Sequence, residues 1–192
     1  MGKVNFMKEA IEIRKTTEGD VPAVMMIFRQ AIESLRVRGV DQWQNGYPNE
    51  DAIRRDIKNG ISYVACLKVK RQELIVGTAA ISFEPEPTYS SIYEGSWDSG
   101  EPYAVVHRIA TAEEYKHCGV AAKLMEFARL SCRNNGVSWI RIDTHRDNLV
   151  MQKFLTKEGF VRRGSITLTD GSHRFGYDAE TIDWAQKKEK ED

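Results

Sequence analysis

The sequence predicts a single α/β (α+β) domain, and three observations predict it. Apolar stretches of strand length alternate with stretches of helical periodicity from Ile11 to Glu180. Turn residues separate these stretches at short intervals, with no internal repeat and no internal linker. The length, 192 residues, suits one domain able to bury a core, and 41% apolar with 29% charged residues is an ordinary globular balance.

Taken in order, Ile11–Thr16 reads as a first strand, and Thr17 to Asp20 supplies turn and cap residues. Val21, Val24, Met25, Phe28, Ile32 and Leu35 then fall at helical spacing, with Gly39 as the stop. Asp41 to Pro48 is a polar-aromatic loop built around Asn45-Gly46. Asn49 opens a second helix, with Glu50 and Asp51 in its first turn, where acidic side chains complement the helix dipole. Ile61–Val69 and Leu74–Phe83 read as a hairpin joined by the turn Lys70 to Glu73. Glu84–Gly100, with Pro85, Pro87 and several Ser and Gly residues, is a long loop, and long loops in compact domains are often functional. Tyr103–Thr111 is a strand, and Gly119–Asn134 a helix built on Val120, Leu124, Phe127, Ala128 and Leu130. Ser138–Asp143 is the next strand, Asp147 or Asn148 caps a short helix Met151–Lys157, and the strands Phe160–Leu168 and Arg174–Glu180 close the chain around Asp170-Gly171. That makes about seven strands and about four helices, with a frayed charged tail from Lys187 to Asp192.

Composition excludes several classes. Twenty-eight basic and 28 acidic residues cancel to a net charge of +0, so the basic excess of a nucleic-acid binder is absent. No stretch approaches the length of a membrane span, and Met1–Ala10 has no hydrophobic run of the kind a secretory signal carries. Three widely spaced cysteines do not form a disulfide framework, which points to a reducing cytoplasm; with four histidines they show no zinc spacing, so no metal is expected. Oligomeric state is left open, a homodimer included.

The chemistry concentrates in Val105–Leu124. An apolar strand leads through a short polar loop into a glycine-containing turn and a helix. Such a turn points unpaired backbone N–H groups at one spot, and the helix dipole adds partial positive charge, so a pyrophosphate fits. Gly119 permits close approach of the backbone and Ala121 keeps the next turn small. Neither common nucleotide-binding glycine motif occurs.

Lys116-His-Cys-Gly119-Val-Ala121 resembles the acetyl-CoA motif of the GNAT acetyltransferase superfamily, Q/R-x-x-G-x-G/A. Lys116 replaces the usual Gln or Arg, keeping the charge without a bidentate fork. Asp143 to Asn148, Phe154-Leu155 and Glu158-Gly159-Phe160 resemble the family's later motif, and the element order is similar along nearly the whole chain. The resemblance implies a GNAT-type domain with a central mixed, mostly antiparallel sheet, and acetyl-CoA as cosubstrate. It implies that backbone groups of Ile109, Ala110 and Thr111 bind the pantetheine arm. It places the pyrophosphate on amides of His117, Cys118, Gly119, Val120, Ala121 and Ala122, with Lys116 beside them, and brings Asn148 to the cofactor. It further implies that strands Tyr103–Thr111 and Ser138–Asp143 splay to admit the thioester, and that a backbone N–H at the end of the first stabilises the developing oxyanion.

The resemblance implies acetyl transfer to a primary amine of a small molecule or a peptide, by direct attack in a ternary complex. His107 and His145 are the candidate bases, Glu101 a third. The family often carries a tyrosine acid where this chain has Leu155; a thiol titrates near about 8.5, so the leaving group needs little help, and Tyr177 is a candidate substitute. Each has a plainer reading: His107 as a hydrogen-bonded strand residue, Asn148 as an N-cap. Trp43 and Tyr47 either line the acceptor pocket or pin their loop to the core. Cys118 has no base beyond adjacent His117, so covalent catalysis is rejected. The rival reading is a catalytically weak acyl-CoA-binding sensor or interaction module, which Leu155 favours.

Overall fold

A computed structural model describes residues 11–69, 72–100 and 102–181. The opening segment, the centre of the turn after Val69, the candidate base Glu101 and the charged tail lie outside the described residues. The chain divides into two compact units. One runs up to Ile81 and adds Arg108–Phe127; the other holds Ser82–His107 and the chain from Ala128 onward. Seven strands form a mixed sheet in the order β1-β2-β3-β4-β5-β7-β6, and four α-helices accompany it.

The first unit starts with β1, Ile11–Lys15, antiparallel to β2, Ser62–Val69, which pairs in turn with β3, Gln72–Ser82. Helix α1 runs Val21–Val37 and buries Val21, Val24, Phe28 and Leu35 of the predicted stripe together with Ile27, while Met25 and Ile32 are only half-buried. Pro22 is tolerated because its missing N–H falls in the first turn. Gly39 ends the helix region at φ 69°, in the left-handed conformation that favours glycine. Helix α2, Glu50–Lys58, is capped by Asn49, whose side chain accepts from the Ala52 N–H at 3.0 Å. Val24, Ile27, Phe28, Ile53, Val64 and Cys66 form the centre of this unit's core.

The unit boundary falls inside β4, Tyr103–Thr111, between His107 and Arg108, and again inside α3, Val120–Asn134. In the second unit β4 pairs in parallel with β5, Trp139–His145, from Tyr103↔Trp139 to Val105↔Arg141. Helix α4, Leu149–Lys157, is followed by β6, Val161–Thr167, and β7, His173–Glu180. Strand β7 is antiparallel to both β5 and β6. The Glu84–Gly100 segment is a loop, as expected, yet it is firmly held. It contains a 3₁₀ turn, Pro87–Ser90, and Tyr93 bridges to Ser165. Asp178, fully buried, accepts from the N–H groups of Asp98 (3.1 Å) and Ser99 (3.0 Å) and from Arg163 Nε (2.5 Å). Arg141 reaches the same loop, donating to Ser99 Oγ and Ser99 O at 2.7 Å each.

Two expectations need adjustment. Leu130 is 45% exposed and sits off the buried stripe of α3. His145, expected just past its strand, is the last residue of β5 because the ladder with β7 continues to His145↔Arg174.

Candidate active site

In the first unit, the end of β4 and the start of α3 build a backbone cradle. Ala112 N–H bonds to Val76 O at 3.0 Å, and a 3₁₀ turn, Glu113–Tyr115, follows. Cys118 N–H donates to Tyr115 O at 3.3 Å. The next helical bond runs from Lys123 N–H to Gly119 O at 2.9 Å, so the N–H groups of Gly119, Val120, Ala121 and Ala122 precede the hydrogen-bonded helix. His117 (φ 63°) and Gly119 (φ 84°) both take left-handed backbone conformations. For a β-carbon-bearing histidine that conformation is uncommon, and such outliers cluster at ligand sites. The donor set, amides at a helix start with no acidic side chain in the first helical turn, suits a pyrophosphate. Gly77 in β3 makes the cradle's packing possible: a Cβ there would stand 2.5 Å from Val120 Cγ1 and 3.2 Å from Ala110 O. Lys116 lies beside the cradle, but its ammonium contacts the Glu113 carboxylate and lies 3.3 Å from Ser34 Oγ. Ile109 and Thr111 are half-buried, and Ala110 is buried in this unit's core.

Just before the cradle, Arg108 adopts φ 51° within β4. A charged residue inside an apolar strand needs a partner, and Arg108 has a bidentate one. Its Nε and Nη2 each donate at 2.8 Å to the two carboxylate oxygens of Asp56 from α2, and its Nη1 donates to the Tyr47 hydroxyl. Burial pushes the Asp56 carboxyl up from its usual range, against the opposing pull of the guanidinium. Tyr47 is thus held to β4. Trp43 meets Phe28 edge-on at 5.7 Å between ring centres and packs on the first unit's core, which agrees with the pinning reading.

The second unit gathers a polar cluster under the long loop. Glu86 Oε1 accepts from Thr88 N–H at 3.2 Å and Thr88 Oγ1 at 2.9 Å, fixing the carboxylate at the head of the 3₁₀ turn. The other oxygen, Oε2, stands 3.5 Å from His107 Nε2, and both side chains keep about a quarter or less of their surface exposed (25% and 21%). Tyr89, from the same turn, donates to Asp143 Oδ1 at 2.7 Å, and Arg174 Nε is 4.0 Å from Asp143 Oδ2. Burial drives the Asp143 carboxyl up and the Tyr89 phenol well above its usual value. Trp97 donates to Tyr89 O at 2.9 Å and lies over Gly176, where a Cβ would come within 2.6 Å of the ring.

Registers decide which sequence candidates share a face. Val105, Arg141 and Asp178 stand side by side, so His107, two residues beyond Val105, belongs to that face. Tyr177, one residue from Asp178, belongs to the opposite one. Tyr177 is buried, and that burial raises its phenol. His145 Nδ1 accepts from Asp147 N–H at 3.2 Å, so that nitrogen holds the turn after β5. Asn148 caps α4, accepting from Met151 N–H at 3.3 Å. Leu155 is fully buried. Arg108, Asp56 and Glu86 are absent from the sequence-based candidates; the sequence signal for Arg108 was a lone charge in Val105-Val-His-Arg-Ile-Ala, whereas Asp56 and Glu86 had none. Among the described residues, no helix is long and apolar enough to cross a membrane, and no three His, Cys, Asp or Glu side chains gather as a metal site.

The chain matches the family described as Acetyltransferase (GNAT) family over residues 28–160. Among solved structures it is similar to a GNAT-family acetyltransferase from Streptococcus agalactiae, with 29% identity and a TM-score of 0.77 over 88% of this chain and 95% of that one. A putative acetyltransferase from Staphylococcus aureus shares the fold at 22% identity and a TM-score of 0.65, covering 88% of this chain and 98% of that one. An N-acetyltransferase from Thermoplasma acidophilum, solved in complex with coenzyme A, shares it at 16% identity and a TM-score of 0.63, with 88% and 98% covered. No curated protein matches the sequence.

Proposed function

The chain belongs to the acetyltransferase (GNAT) family, and we propose that it moves the acetyl group of acetyl-CoA to a primary amine by direct attack in a ternary complex. The observation that carries this reading is the cradle at the start of α3, with left-handed His117 and Gly119 leading into the amides of Gly119 to Ala122. When bound, acetyl-CoA supplies an activated thioester. Amides of Gly119 to Ala122 would hold its pyrophosphate, with that of His117 beside them, whereas the expected Cys118 amide is already engaged by Tyr115 O. Ile109 to Thr111 would bind the pantetheine arm through the backbone. Lys116 adds positive charge nearby, although its contact with Glu113 keeps it from acting as a dedicated phosphate clamp. Asn148 contributes from the cap of α4.

An amine attacks only as the free base, and a lysine-like ammonium titrates near about 10, so the enzyme must remove a proton. We assign that task to His107, whose imidazole is partly exposed and faces a carboxylate. His145 is better read as a turn-holding residue, because its Nδ1 lone pair is engaged by Asp147 N–H. Tyr177 stays the candidate acid for the departing thiolate. Its raised phenol stays protonated. Tyr47, held by Arg108, borders the acceptor side, with Trp43 as the anchor of its loop. Three free thiols favour a reducing cytoplasm.

The test is acetyl-CoA-dependent thiol release across amino acids, polyamines, aminoglycosides and short peptides, with Gly119→Glu as control. Release with one amine class, lost in the control, upholds the transferase and names its acceptor type. Binding of acetyl-CoA without release from any amine favours the sensor reading, which the fully buried, hydroxyl-free Leu155 supports.

A further inference from the structure

We propose that Glu86 is a positioning and charge-stabilising residue for His107, so that the base of the transfer is a carboxylate–imidazole pair delivered by the long loop before β4. This rests on the transferase reading and on the assignment of His107 within it.

The geometry separates the two oxygens of one carboxylate. Oε1 is committed to the backbone N–H and hydroxyl of Thr88 at the head of the Pro87–Ser90 turn. That commitment fixes the side chain and turns Oε2 toward His107 Nε2, 3.5 Å away. The separation lies in ion-pair range and exceeds a good hydrogen bond, and catalytic contacts of this type commonly tighten when the substrate is bound. The turn itself cannot drift. Tyr89 in the same turn is buried and donates to Asp143, Trp97 bonds the Tyr89 carbonyl, and Asp178 with Arg141 holds the loop's far end.

Proton bookkeeping gives the pair its function. The acceptor ammonium loses a proton to Nδ1 of the neutral imidazole, directly or along water. The free amine then attacks the thioester carbonyl, and the C–N bond forms as the C–S bond breaks. The departing thiolate takes up the second nitrogen proton to leave as coenzyme A thiol, and the imidazolium returns its proton to solvent. While it holds that proton, His107 carries a full positive charge. A carboxylate within about 4–6 Å stabilises that charged form and raises the proton affinity of the ring. Among the described residues, Tyr89 stands 6.5 Å from the ring between centres, and Asp143 with Arg174 lies beyond it. Asp143 shares its charge with Tyr89 and Arg174. Glu86 is thus a carboxylate held to face His107.

The variant that tests this is Glu86→Gln, whose amide oxygen can still accept from Thr88 while the charge is gone. The first readout is the NMR titration of the His107 ring in the full-length protein without substrate. We expect Glu86→Gln to lower its midpoint by about one unit; an unmoved midpoint overturns the pairing. The second readout is the pH profile of amine acetylation. The acid limb of kcat/KM should shift by the same amount, kcat should fall about tenfold at neutral pH, and KM for acetyl-CoA should not change. A shifted titration with an unmoved acid limb overturns the catalytic role while leaving the ion pair standing. If no amine is acetylated by the parent protein, the transferase reading fails on its own, and the ring titration still decides whether Glu86 sets the proton affinity of His107.

Discussion

Arg108 holds a left-handed backbone in the middle of β4 while its guanidinium grips both carboxylate oxygens of Asp56. A non-glycine residue in that conformation costs on the order of 1–3 kcal/mol, so the surrounding contacts must fix it. Asp56 and the Tyr47 hydroxyl do so, and the chain leaves Arg108 directly into Ile109 to Thr111. The ion pair is thus tied to the shape of the strand that leads to the backbone cradle at the start of α3.

Asp56→Ala leaves Arg108 as a mostly buried charge without its bidentate partner. Unfolding free energy should fall by about 3–5 kcal/mol. Acetyl-CoA affinity should also drop, because the strand loses the contact that holds its left-handed residue. Asp56→Asn keeps an acceptor and should lose less of both. Denaturant unfolding and calorimetric titration with acetyl-CoA measure the two effects. Unchanged affinity in a folded Asp56→Ala would break the link between this ion pair and the cradle.

Gly77 offers a sharper probe of the same region, since it touches packing and no charge. A Cβ at this position meets Val120 Cγ1 at 2.5 Å and the Ala110 carbonyl at 3.2 Å, so the start of α3 or the end of β4 must yield. Gly77→Ala should destabilise by about 1–3 kcal/mol. Acetyl-CoA binding should weaken at least tenfold, because the displaced residues carry the amides of the cradle. A variant that binds like the parent would show that the cradle tolerates this displacement.

Local chemistry was legible in the sequence, and long-range pairing was not. The stripe Val21, Val24, Phe28 and Leu35 announced α1, and Asn49 and Gly39 marked their caps, because periodicity and capping act within a turn or two. Gly119 announced the cradle for the same reason. Glu86 carried no such mark. It lies 21 residues before His107 in a segment that reads only as loop, and its role depends on a turn closed by Thr88 and on Tyr89 finding Asp143, 54 residues away. Likewise Leu130 fits the helical pattern of α3 yet points outward, since the pattern fixes a stripe but not which residue at its edge stays covered.

Asp20 should govern behaviour in acid. Its Oδ2 accepts from Arg14 Nη1 at 2.7 Å, Thr17 N–H at 2.7 Å and Thr17 Oγ1 at 2.8 Å, and Arg14 Nη2 reaches Oδ1 at 3.0 Å. The Arg14 guanidinium above all holds the carboxyl down at about 2, against 3.8 for an ordinary aspartate. A depressed folded value contributes stability that is fully present above about pH 4 and is lost as pH falls toward about 2. With Arg14 partly open to solvent, the contribution is on the order of 1 kcal/mol. Asp20→Asn should therefore lower Tm at neutral pH and flatten the loss of Tm between those limits. A parent and variant with parallel acid profiles would remove Asp20 from the acid response.

The cysteines give the cradle a chemical reporter. Cys66 and Cys132 are buried, and burial pushes their thiols up to about 11 and about 12. At pH 8 the thiolate fraction of Cys66 is then about one in a thousand, and that of Cys132 smaller still. Cys118 lies half-exposed between left-handed His117 and Gly119. Iodoacetamide at pH 8 should place a single adduct on the native protein, at Cys118, and adducts on all three cysteines after denaturation. Saturating acetyl-CoA should slow the native reaction at least tenfold, because a pyrophosphate on the adjoining amides covers the thiol. Free coenzyme A should protect equally, since the contact is with the phosphates and not the acetyl group. Peptide mass mapping reads each arm. Labelling of Cys118 at one rate with and without the nucleotide would place the phosphates somewhere other than the turn at the start of α3.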